Sequence, residues 1–131
     1  MAVLRVTVHC VDIEDKPGSF HRFLSQSSLS GVDFLCFIVV STGNSRGRVF
    51  VSAKDPKILE SFAREAGIKL KPAAGFIVDG ADRIGAAADV IKALAKNDIP
   101  GIAGAAMLID GQYRMLIIVD AENADLAQKV L

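Results

Sequence analysis

Two tetrapeptides of the same design, Asp15-Lys16-Pro17-Gly18 and Asp82-Arg83-Ile84-Gly85, stand 67 positions apart in a chain of 131 residues. Each falls between a strand-like run and a helix-like run. A chain that puts one junction at the same offset in both halves is constrained to fold as two similar units. The same gapless shift pairs Val78 with Val11, Asp79 with Asp12 and Leu126 with Leu59.

The first half reads as strand, helix, strand, strand, helix, strand. From Val3 to Val11, Leu4, Val6, Val8 and Cys10 alternate with Arg5, Thr7 and His9, the period of a half-buried strand. His9 is thereby expected on the polar side. After the junction, Phe20, Phe23, Leu24 and Ser27 recur at helical spacing, and Pro17 is tolerated because a first turn needs no internal N–H bond. Asp33–Ser41 and Gly47–Ala53 read as a hairpin. Asp55-Pro56 opens a helix with Ile58, Leu59, Phe62 and Ala63 on one face, and Gly67 stops it. Ile68–Lys71 is expected as a short fourth strand.

The second half repeats the order. Gly75–Val78 is the expected strand, and Ile84, Ala87, Ala88, Ile91, Leu94 and Ala95 are the expected helix face. Two apolar runs around Asp110-Gly111 form a hairpin on a strong two-residue turn signal, and Glu122–Leu131 closes the chain as a helix. The expected architecture is α+β: two ferredoxin-like βαββαβ units, 1–72 and 73–131, with both helices on one face of an antiparallel sheet. Under the shift, the partners of Ile68–Lys71 would lie beyond residue 131, so the second unit lacks its last strand. An edge from the first unit or from another subunit is expected to cover the gap.

Composition narrows the function. Lys+Arg 15 balance Asp+Glu 15, so the chain has no bulk electrostatic bias and no nucleic-acid partner is expected, and 51% apolar residues suffice for a core. No apolar run is long enough to span a membrane and no signal-peptide pattern opens the chain, so a cytoplasmic location and no membrane partner are expected. Cys10 and Cys36 form no CxxC pair and read as small buried apolar residues; neither His9 nor His21 has a partner at metal spacing. No catalytic constellation, metal site or cofactor is expected. The Gly43–Arg48 loop lacks the phosphate-loop spacing, and Gly80–Asp89 lacks the dinucleotide fingerprint. The small-residue run Gly101–Met107 reads as a surface that another backbone can approach closely.

The first junction, with its alternating strand before it and its amphipathic helix after it, resembles the ACT domain family of small-molecule sensors. The Ser30–Phe34 segment is similar to the family's helix-to-strand segment, where Asn often occupies the place of Asp33. In the second half Ile84 stands where proline is usual. The resemblance implies a non-enzymatic regulatory protein, expected as a dimer and without an effector domain in this chain, that binds an amino acid at an interface between paired units and passes its output to a partner enzyme or within a homo-oligomer. The implied ligand-binding residues are Asp15, Lys16, Pro17, Gly18, Ser19 and Phe20 with Gly31, Val32, Asp33 and Phe34; Asp82, Arg83, Ile84 and Gly85 form a weaker second site. Physical chemistry supports the first set: a helix start offers free N–H groups to a carboxylate, Gly18 permits close approach, and Asp15 or Asp33 can receive an ammonium. The alternative is an oligomerisation or adaptor module in which Asp15 caps the helix and Gly18 eases a turn.

Overall fold

The structure is a computed structural model that describes residues 2–131. The elements are β1 (Ala2–Glu14), α1 (Ser19–Leu29), β2 (Phe34–Gly43), β3 (Arg46–Ala53), α2 (Pro56–Ala66), β4 (Lys71–Ala81), α3 (Ala86–Ala95), β5 (Gly101–Ile109), β6 (Gln112–Asp120) and α4 (Ala124–Val130). A 3-10 turn, Ala121–Asn123, precedes α4. The fold is α+β, with six strands hydrogen-bonded in the order β2-β3-β1-β4-β6-β5. The chain divides into two compact units, Thr7–Pro72 and the segment through Val6 together with Ala73–Leu131.

In the Thr7–Pro72 unit, β3 pairs antiparallel with both β1 and β2, with Val11 opposite Val49 and Phe37 opposite Val51. The β2–β3 turn places Asn44 and Ser45 at φ 54 and 58, the two positive values that match hairpin twist. Helix α2 is well specified at both ends. The Asp55 carboxylate accepts from the Lys57 N–H at 3.0 Å, Pro56 takes the first turn, and Gly67 at φ 69 ends the helix as the Ile68 N–H donates to the Ala63 carbonyl. Its Leu59 and Phe62 join Val11, Phe23, Val32, Val49, Val51 and Ala53 in one core, and each such large side chain contributes about 1.5–3 kcal/mol on burial.

Several expectations are corrected here. Ile68–Lys71 is not a separate strand: Ile68 and Leu70 pack against the core, and one strand runs from Lys71 through Pro72 and Gly75–Val78 to Ala81. Alternation in β1 holds only in part, because Leu4 is exposed while Val8, Cys10 and Val11 are all buried. His9 is buried as well, at 7% exposure, and not on a solvated side. It follows Val8 and precedes Cys10 in a stretch buried on both faces, so no polar face is left for it.

The other unit is built on β4, β5 and β6, with Phe76 opposite Ile117 and Gly104 opposite Ile117 on its other side. Its core gathers Phe76, Val78, Val90, Leu94, Ile99, Met115, Ile117, Val119, Ala124 and Ala127. The expected α3 face is wrong in part. Gly85 at φ 86 is the N-cap, which leaves Ile84 outside the helix and fully exposed, and Val90 with Leu94, not Ile91, points inward. The gapless shift also fails towards the C-terminus: Leu126 is 42% exposed whereas Leu59 is 0% exposed, and Ala124 and Ala127 carry the buried face of α4. The missing strand is answered by the strand order. β1 lies beside β4, and its segment through Val6 belongs to this unit. A 13-residue β1 is long enough to serve both units in turn.

Candidate functional site

At the first junction Asp15 does not cap α1. Its N–H donates to the Ser45 carbonyl at 2.9 Å and its carboxylate accepts from the Ser41 hydroxyl at 2.6 Å, so it is tied to the end of the β2–β3 hairpin. The N-cap is Gly18 at φ 91, with no side-chain cap, and a Cβ there would meet no atom within 4 Å. Glycine is required by the backbone angle and not by crowding. Lys16 pairs with Glu14 at 2.8 Å and holds that carboxyl below its ordinary range, Pro17 lies between them and Gly18 as an exposed turn residue, and the Ser19 N–H donates to the Lys16 carbonyl. The Phe20 ring meets Phe37 edge-on at 5.3 Å.

The second part of the expected site lies elsewhere. Gly31 sits at φ 86, and the Val32 N–H donates to the Ser27 carbonyl as α1 ends. The Asp33 carbonyl accepts from the Lys54 N–H and its carboxylate pairs with Lys54 Nζ, both at 2.8 Å, while Phe34 stacks near Phe23. Asp33 precedes the first residue of β2, and Ser41, which holds Asp15, is near its end. At about 3.3 Å per residue the two aspartates are roughly 25 Å apart along the strand. One copy of this unit does not bring Asp15–Phe20 and Gly31–Phe34 together.

The second junction copies the first in its backbone. The Asp82 N–H donates to the Gly111 carbonyl at the turn of the β5–β6 hairpin, as Asp15 does to Ser45. Its side chains differ: Arg83 pairs with Asp89, whose carboxyl it holds below the usual range, and also donates to the Ile84 carbonyl at 3.3 Å.

Each unit also carries a cleft beside its junction helix, which sequence reasoning missed. In the Thr7–Pro72 unit it has a volume of about 470 Å³ and is lined by Ser19, Arg22, Phe23, Gln26, Ile68 and Lys69 among others. In the other unit the cleft is about 440 Å³, with Ala86, Asp89, Val90, Ala93, Arg83 and Tyr113 on its walls. The 67-residue shift that aligns the junctions also carries Ser19, Arg22, Phe23 and Gln26 onto Ala86, Asp89, Val90 and Ala93. That alignment is the signal by which the pair could have been found.

Two other polar groups differ in how far the fold satisfies them. Asp12 accepts from Arg48 and Lys71 at 3.0 Å each, and the hydrogen bond from Lys71, then that from Arg48, lowers its pKa. His9 Nε2 stands 3.6 Å from Glu60, and its Nδ1 has no hydrogen-bond partner; burial lowers its pKa and Glu60 opposes this in part. Among the described residues no group of three His, Cys, Asp or Glu side chains is placed to hold a metal ion, and no helix is long and apolar enough to cross a membrane.

No protein-family model matches the chain, and no curated protein matches its sequence. Solved structures do match in shape. A protein from Bacteroides thetaiotaomicron superposes with a TM-score of 0.78 at 12% identity, over 98% of this chain and 88% of that one. The regulatory subunit of aspartate kinase from Thermus flavus gives 0.65 at 20% identity, over 98% and 92%. The aspartate kinase of Clostridium acetobutylicum gives 0.65 at 18% identity, over 98% of this chain but 33% of the enzyme. At these identities the likeness is one of fold: this chain has the α+β fold of those structures, the fold that the resemblance to the ACT family implied.

Proposed function

We propose that the chain is a non-catalytic regulatory protein that binds an amino acid at the first junction, and that the site is completed by a second copy. The observation that carries this reading is the separation of Asp15–Phe20 from Gly31–Phe34 by the length of β2. β2 ends the strand order, and its ten residues contain no charge and no proline, the devices that usually block an edge. Antiparallel pairing of β2 with β2 of a second copy, centred on Phe37 and Ile38, would lay the start of one strand beside the end of the other. Asp33 of the second copy would then come to the end of β2 where Ser41 holds Asp15. A ligand carboxylate would meet the uncapped N–H groups of α1, and its ammonium would meet an aspartate.

The likeness to aspartate kinase regulatory subunits supports an output delivered to a separate partner enzyme. A second reading, an adaptor that binds no ligand, draws support from the internal partners that Asp15 and Asp33 already have in Ser41 and Lys54. A thermal-shift screen of the twenty amino acids on wild type and Gly18→Val separates the two. The expected result is stabilisation of wild type alone by one or a few amino acids. No shift in any case sustains the adaptor, and equal shifts in both proteins place the ligand elsewhere.

A further inference from the structure

The two clefts are copies of one feature, yet their polar linings differ in a way that predicts different ligands. On α1, Ser19, Arg22 and Gln26 follow at spacings of three and four residues, so they share the helix face that borders the cleft. Lys69 approaches from the segment after α2. Among the described residues, none of these four side chains has a hydrogen-bond or ion-pair partner in the protein. The nearby carboxylates are already engaged: Asp12 by Arg48 and Lys71, and Glu14 by Lys16. Two unpaired cations and two neutral donors therefore border the space, and the one carboxylate on its wall, Asp12, is already paired with Arg48 and with Lys71, which lines the same cleft. The sister cleft has Ala86, Asp89 and Ala93 at the positions of Ser19, Arg22 and Gln26, and its one aspartate there is closed by Arg83.

We infer that the cleft of the Thr7–Pro72 unit is a binding site for a small oxyanion, a carboxylate or a phosphate, and that its sister cleft is not. Phe23 and Ile68 supply an apolar floor for the body of the ligand, Arg22 and Lys69 supply charge, and Ser19 and Gln26 supply orientation. Only Ser19 is shared with the amino-acid site proposed above, so the two sites are separable by mutation.

The test is a residue-resolved NMR titration of the full chain with inorganic phosphate and, separately, with succinate, at constant ionic strength set by chloride. The expected result is a saturable shift of the amides of Ser19–Gln26 and Gly67–Lys71 with at least one probe, and none at Ala86–Ala93. Whichever probe saturates identifies the oxyanion. Affinity should fall at least about tenfold in Arg22→Gln and in Lys69→Glu, because each removes a charge-assisted contact. Both positions are exposed, so the variants retain the fold. Shifts that never saturate or spread over all surface lysines, meaning an adventitious ion only, would overturn the site, as would unchanged affinity in both charge variants.

Discussion

At the residue scale His9 is the position where burial and charge conflict most directly. It is enclosed, its Nδ1 is unpartnered, and Glu60 stands at the edge of hydrogen-bond reach of its other nitrogen. Burial lowers the folded-state pKa below the ordinary 6.5, so between the two values the unfolded chain binds more protons than the folded one. The contribution to stability is therefore complete above about pH 6.5 and is lost as pH falls through the folded value. Urea midpoints measured from pH 7.5 to pH 5 should decline for wild type, and the decline should be smaller in His9→Gln. Equal slopes in the two proteins would remove His9 as the cause. The alternating pattern of β1 placed this residue on the polar side, because alternation assigns faces to a strand but does not say whether both faces are covered. Asp15 teaches the same point: its spacing to Gly18 suited a helix cap, yet its hydrogen bonds go to Ser41 and Ser45, residues distant in sequence.

At the element scale β1 is the unusual piece. Strands near five or six residues are common, whereas β1 has 13, and its first part is counted with β4 to β6. Arg5 donates to Asp125 at 2.9 Å and to Gln128 at 2.7 Å, tying that part to α4. Asp125 is 97% exposed at its side chain, so this pair is worth less than about 1 kcal/mol, and the larger effect must come from strand pairing. A chain that begins at Thr7 should thus lose amide protection in β4 and β6 and aggregate, while Arg5→Ala should shift the urea midpoint only slightly. Hydrogen exchange read by mass spectrometry compares the two. Full protection of β4 in the shortened chain would show that the segment through Val6 is dispensable. A second lesson at this scale concerns Ile68–Lys71 and Gly75–Val78, expected as two strands. Pro72 reads locally as a break, but a proline is tolerated where its position needs no ladder bond, and the strand passes through it.

At the scale of the whole molecule the open question is assembly. Leu35, Phe37, Val39 and Val40 are each more than 40% exposed along the edge strand β2. An uncharged, apolar edge of this length favours pairing with another strand. On the proposed function, Val39→Lys should turn a dimer into a monomer in sedimentation analysis and abolish the thermal response to amino acids together. A monomeric wild type that still responds would refute the shared site. The amino-acid order by itself determined the fold class, the two junctions, both hairpin turns and the start of α2, because periodicity, glycine and proline act over a few residues and are visible there. Only the tertiary structure decided which strand fills the gap beside β4, that His9 is enclosed, and that Asp15 and Asp33 stand at opposite ends of β2. Those outcomes depend on pairings between residues far apart in the chain, which local pattern does not encode.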